Sequence, residues 1–91
     1  MIVSWANDDA KQVFLGKAPR GVPGVILARA RRLLAQLNAA TTLGDMRSPP
    51  GNRLHKLEGG NIWSVSVNDQ YRITFTWGAD GPEAVWLGDY H

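Results

Sequence analysis

The stretch Trp63-Ser64-Val65-Ser66-Val67-Asn68-Asp69-Gln70-Tyr71-Arg72-Ile73-Thr74-Phe75 decides the fold. Trp63, Val65 and Val67 alternate with Ser64, Ser66 and Asn68, and then Tyr71, Ile73, Phe75 and Trp77 alternate with Arg72, Thr74 and Thr76. Successive side chains leave a strand on opposite sides, so a period of two marks a half-buried antiparallel pair closed by a tight turn. One face of this hairpin is apolar, and the other is polar and carries Arg72. A guanidinium on a polar sheet face is a floor for an anionic ligand. The closing Asp89-Tyr90-His91 adds a phenol and an imidazole, the latter with an ordinary pKa of about 6.5. Nucleic acid is the first ligand this combination raises.

Outward from the hairpin, Ile2-Val3-Ser4-Trp5 is a short strand candidate. Asn7, Asp8 and Asp9 then supply an N-cap and an acidic first turn for a helix through Val13, Phe14 and Leu15, ended by Gly16. Ile26, Leu27, Ala30, Leu33, Leu34 and Leu37 recur at helical spacing within an arc of roughly 120°, which predicts a second, core-facing helix. Arg29, Arg31 and Arg32 fall outside that arc and read as a solvated face. From Asn38 to Asn52 there is no periodicity, so a loop leads to a strand near Arg53-Leu54-His55-Lys56-Leu57. After the hairpin, Gly78-Ala79-Asp80-Gly81-Pro82 is a turn before a last strand, Ala84 to Tyr90. The expected order is βααββββ, a single α+β domain over 1–91 with two N-terminal helices on one face of a small antiparallel sheet and the other face open. Simple alternation along the last strand groups His91 with Val85 and Leu87, and a bulge at Gly88 would bring it to the polar face.

The chain has 91 residues, of which 44% are hydrophobic and 20% charged, an ordinary globular balance for one core. No apolar run approaches the ~20 residues of a membrane span, and Met1 to Asp9 lacks the basic and apolar blocks of an export signal, so a soluble cytoplasmic protein is expected. With no Cys, neither a disulfide framework nor a thiolate metal site is open to it. The net charge is only +2, but Arg20, Arg29, Arg31, Arg32, Arg47, Arg53, Lys56 and Arg72 precede Asp80, Glu83 and Asp89, so the basic field is local.

His55, Asp89 and His91 lack metal-ligand spacing, so no metal or other cofactor is expected. Gly59-Gly60 lacks the spacing of a phosphate-cradling loop, and Ser64 and Ser66 read as solvent-facing strand residues rather than nucleophiles. The groups that remain suit cleavage of RNA by its own 2′-hydroxyl. That reaction needs the attacking oxygen held in line, protons moved, and phosphorane charge met by fixed cations. Arg72 is the cation, His91 and His55 are the proton-transfer candidates, and Tyr90 orients the phosphate or stacks on a base. Each also has an ordinary structural role: a tail imidazole, a solubilising Arg, a core Tyr. Trp5, Trp63, Trp77 and Trp86 are expected in the core.

Three segments together resemble the HigB toxins of the RelE/ParE superfamily: Arg47-Ser48-Pro49-Pro50-Gly51-Asn52-Arg53-Leu54-His55-Lys56-Leu57-Glu58-Gly59, the hairpin, and Asp89-Tyr90-His91. The resemblance implies a microbial RNase fold and a type II toxin that cuts mRNA on the ribosome without metal, neutralised by a HigA-like helix-turn-helix antitoxin. DNA would be reached only through that antitoxin. It implies functional positions at Arg72, Tyr90, His91 and His55, with Arg47, Arg53, Lys56 and Asn68 holding RNA. Glu58 stands where the family often has a basic residue and Ser66 where it often has Arg, with Lys56 close enough to Glu58 to compensate in part. The alternatives are therefore a catalytically weak or inactive module that only binds the antitoxin, and a gyrase poison of the ParE kind.

Overall fold

A computed structural model describes residues 1–89, so the expectations on Tyr90 and His91 lie outside the described residues. Helix α1 spans Asp8–Phe14. Asn7 caps it, accepting from the Ala10 amide at 3.2 Å, and the same side chain exchanges two hydrogen bonds with the backbone of Leu87, at 2.8 and 3.2 Å. One residue thus starts the helix and bolts it to the sheet. Gly16 ends the helix with φ 88°, and its amide and that of Lys17 return to the carbonyls of Val13 and Gln12. This left-handed closing turn favours glycine, which has no Cβ to clash.

Helix α2 spans Leu27–Ala39 after a 3₁₀ turn at Gly24–Ile26. Its predicted arc is the buried one: Ile26, Ala30, Leu33, Leu34 and Leu37 are at most 4% exposed. Four strands follow, β1 (His55–Lys56), β2 (Ile62–Ser66), β3 (Tyr71–Gly78) and β4 (Gly81–Asp89), antiparallel and adjacent in chain order. Val65, Val67, Ile73, Phe75, Val85 and Leu87 turn toward the helices and share one core with Val13, Leu34 and Leu37. Burial of each large apolar side chain contributes about 1.5–3 kcal/mol. The α+β architecture with one helix-covered sheet face is therefore the expected one.

Several local expectations change. The N-terminal segment is not a full strand: it runs beside β4 through a single parallel bridge, Trp5 to Val85. Bonds from Val3 to Pro82, from Val85 to Ser4 and from Ala6 to Val85 zip it along that edge. The second turn is shorter than expected, because Gly78 already pairs with Gly81. The bulge is not at Gly88, where β4 runs in register from Leu87 through Gly88 to Asp89 against Ile73, Arg72 and Tyr71. It lies upstream, between the pairs Thr74 to Trp86 and Thr76 to Glu83, where Ala84 has φ 51° and donates its amide to Ser4 Oγ at 2.8 Å. The extra residue meets the N-terminal segment, which supplies the hydrogen bonds a regular ladder would have given.

The supposed loop from Asn38 to Asn52 is ordered as two 3₁₀ turns, Leu43–Arg47 and Pro50–Asn52. Asn52, 1% exposed, donates to Gln36 Oε1, Met46 O and Ser48 O, and Gln36 donates to Asp45 O and Ser48 O. Two amides thus satisfy carbonyls that no periodic element could, which is why hydrophobic patterning does not announce the segment.

Candidate active site

The register defines the face turned away from the helices. Residues directly opposite in antiparallel strands project to the same side, so the pairs His55 to Ser64, Ser64 to Thr74 and Thr74 to Trp86 form one row across all four strands. Ser66, Arg72 and Gly88 form the next row. His55 and Arg72 therefore share a face and flank Ser64, whose Oγ lies 3.4 Å from Arg72 Nη1. His55 is exposed, and its Nδ1 lies 3.1 Å from Arg53 O. A carbonyl only accepts, so Nδ1 carries the hydrogen and Nε2 of the neutral ring keeps its lone pair for a proton from a ligand.

Ser64 and Ser66 are not solvent-facing as expected. They are 0% and 5% exposed, and Thr74 is 8% exposed. The long side chains of Arg72 and Trp86 stand beside them on the same face, and Ser66 Oγ donates to Asn68 O at 2.8 Å. The floor is a layer of satisfied hydroxyls beneath a half-buried guanidinium, not an open polar sheet.

The other candidates are not gathered there. Lys56 registers opposite Trp63, whose side chain packs against the core, so Lys56 projects to the opposite side from His55. Arg47 ends the first 3₁₀ turn after α2, and Arg53 follows the second in the left-handed region at φ 51°, both exposed on the segment leading into β1. Asn68 is a turn residue: its Oδ1 accepts from the amides of Gln70 and Tyr71 at 2.8 and 2.6 Å, closing the β2–β3 hairpin. Glu58 is exposed in the turn between β1 and β2. Tyr90 and His91 lie outside the described residues. Among the described residues, no three His, Asp or Glu side chains are grouped to hold a metal ion, and no helix is long and apolar enough to cross a membrane.

Arg29 is the main residue that patterning misread. Its Nε donates to Val67 O at 2.7 Å, and its Nη2 to Ser66 O and Gly51 O at 3.3 and 3.1 Å. It clamps α2 to the end of β2 and to the Pro-Pro-Gly turn, beside the row that holds Arg72. The signal was its position on the flank of the apolar arc, three residues after Ile26 and four before Leu33, where a long side chain lays its stem on the core and extends its head. Arg31 likewise reaches Val13 O and Lys17 O at the end of α1, and only Arg32 is fully on the solvated face. Asp45 is held below the ordinary carboxylate pKa by the backbone amides of Thr41 and then Thr42, which donate to its Oδ2 at 2.9 and 3.1 Å.

Comparison with known proteins agrees with this frame. Residues 3–91 match a family model described as the RelE-like toxin of type II toxin-antitoxin system HigB. Toxin HigB-1 of Vibrio cholerae serotype O1 is 44% identical over 63 residues, covering 67% of this chain and 66% of that protein. An uncharacterized protein of Haemophilus influenzae is 36% identical over 56 residues, 59% of this chain and 55% of its own. The matches thus span just under two thirds and about half of those two relatives. Endoribonuclease HigB of Proteus vulgaris is 29% identical over 93 residues, covering all of both chains. The chain belongs to the HigB-like family of RelE-type toxins of type II toxin-antitoxin systems.

Proposed function

We propose that this toxin is a ribosome-dependent endoribonuclease that cuts mRNA and so stops translation. The observation that carries the reading is the common face of Arg72 and His55, with Ser64 between them. A 2′-oxygen attacks the adjacent phosphorus, and the bond to the 5′-oxygen of the next nucleotide breaks, leaving a cyclic phosphate. His55 Nε2 takes the 2′ proton, and His91 returns one to the departing 5′-oxygen. Arg72 meets the charge of the phosphorane with its planar fork, and Tyr90 orients the phosphate. Arg47 and Arg53 hold the strand as it approaches β1, Lys56 contacts it around the sheet edge, and Asn68 offers its amide group from the hairpin tip. A site with so few charged groups relies on the ribosome to hold mRNA in line. Neutralisation falls to a HigA-like helix-turn-helix antitoxin, and DNA is met only through it.

Induced expression should arrest growth and leave new mRNA ends within translated frames. Arg72→Ala should lower cleavage about 10²–10³-fold while the protein stays folded. Arrest and cleavage unchanged by Arg72→Ala would overturn the assignment. A second reading draws on Ser66, which sits directly opposite Arg72 as a buried hydroxyl where an added cation would serve catalysis. On that reading the chain binds its antitoxin without cutting RNA, and the complex forms with neither arrest nor cleavage. A gyrase poison would instead raise a DNA-damage response with intact transcripts.

A further inference from the structure

The ladder between β1 and β2 ends at His55 opposite Ser64. It cannot continue regularly upstream, because Arg53 is left-handed at φ 51° and a strand needs an extended backbone there. Beyond that point Arg29 of α2 joins the two segments. Its Nη2 donates to Gly51 O at 3.1 Å on one segment and to Ser66 O at 3.3 Å on the other, while its Nε donates to Val67 O at 2.7 Å. A planar guanidinium with donors in fixed directions holds such a gap at one width. Asn52 anchors the Pro-Pro-Gly turn to Gln36 and to the carbonyls of Met46 and Ser48, whereas Arg29 anchors it to β2.

Both segments lead to groups of the proposed site. From Gly51 the chain passes through Asn52 to Arg53, whose carbonyl lies 3.1 Å from His55 Nδ1. Ser66 is directly opposite Arg72. Resting on the ribonuclease reading above, we infer that Arg29 is a positioning residue whose guanidinium fixes His55 relative to Arg72. It acts through the two backbones that it bridges. β1 contributes only two residues to the sheet, so its ladder alone is a weak constraint on an exposed imidazole. In-line attack tolerates little error in the place of the base, and a shift of about 1 Å costs up to about 10²-fold in rate.

The test uses the full chain on ribosomes programmed with an mRNA whose cut site has been mapped, under single-turnover conditions and at a temperature where circular dichroism shows every variant folded. Arg29→Met should lower the rate at saturating toxin about 10–10²-fold and change the half-saturating concentration less than about twofold. In the His55→Ala background the same change should cost less than about threefold, because the group it places is gone, and in the Arg47→Ala background it should cost the full factor. Arg29→Lys, which keeps the charge without the fork and serves if the Met variant fails to fold, should show the same pattern at a smaller factor. Nitrogen NMR of the free toxin at about pH 8, where an ordinary imidazole is neutral, should show the hydrogen of His55 on Nδ1 in wild type and shared between both ring nitrogens in Arg29→Met. A loss of equal size in all three backgrounds, a full wild-type rate with Arg29→Lys, or an unchanged His55 tautomer in Arg29→Met overturns the positioning role and leaves the nuclease intact. A wild type that does not cut overturns the nuclease reading and the positioning role with it.

Discussion

On the helix side of the sheet, Val65, Ile73, Phe75, Val85 and Leu87 are each at most 1% exposed, whereas across the same strands Arg72, Thr76 and Trp86 keep part of their surface in solvent. The first set packs at close to crystal density against α1 and α2, so each member is felt mainly through volume. The second set is felt through chemistry: a guanidinium on a serine hydroxyl, an indole on a glycine, an imidazole with one nitrogen committed to a carbonyl. On the proposed reading, stability and function are divided between two sides of one layer. A change on one side should leave the other quantity nearly untouched.

The sharpest way to break that division is to compare Phe75→Ala with Arg72→Ala. Deleting the Phe75 ring should cost about 3–5 kcal/mol of unfolding free energy in urea, because the packed surroundings cannot collapse around the cavity. Arg72→Ala should shift stability by less than about 1 kcal/mol, since among the described residues its guanidinium makes one long contact, to Ser64. Comparable losses from both would show that the far face is structural too. Next in size is Arg29→Met, which keeps the stem and removes three bonds to carbonyls. It should cost about 2 kcal/mol and increase hydrogen exchange around Val67, marking a helix residue whose work is done at the edge of the far face.

Asn68 separates the two roles at one position. Asn68→Ala should cost about 1 kcal/mol through the lost hairpin turn. Asn68→Asp keeps an acceptor for the Gln70 and Tyr71 amides and should recover that stability, while its negative charge weakens binding to RNA. Loss of RNA binding in neither variant would reduce Asn68 to a turn former. The smallest effect belongs to Asp45. Its folded-state pKa is lowered, so its contribution is present at neutral pH and is lost as pH falls through that value, below the ordinary ~3.9. Asp45→Asn should therefore lower stability slightly and by a constant amount above about pH 5 and flatten the acid limb of the stability profile below it; an unaltered acid limb would contradict the capping role.

Much of the frame was legible because it depends on local rules. Asn7 before two aspartates, Gly16 after an apolar turn, the arc from Ile26 to Leu37 and the alternation through the hairpin each state a backbone conformation and an inner face without reference to the rest of the chain. The shared face of Arg72 and Ser64 follows from the same alternation. What did not follow was how much of that face is covered. Ser64 and Ser66 read as solvated because alternation reports direction alone, and neighbouring long side chains decide exposure. The N-terminal residues read as a strand from their composition, yet their ladder is limited by the bulge at Ala84, a feature of β4 some eighty residues away in the chain.

The sequence by itself determined the period of each element, the ends of α1 and the apolar side of every long segment, since these rest on sterics and solvation within a few residues. Only the tertiary structure decided that Arg29 serves the hairpin, that Asn52 holds the Pro-Pro-Gly turn, that His55 rather than Lys56 joins the face of Arg72, and that Trp86 lies on the face away from the helices. Each of these depends on register and on carbonyls offered by distant segments, and hydrogen-bond partners so far apart in the chain leave no periodic trace in it.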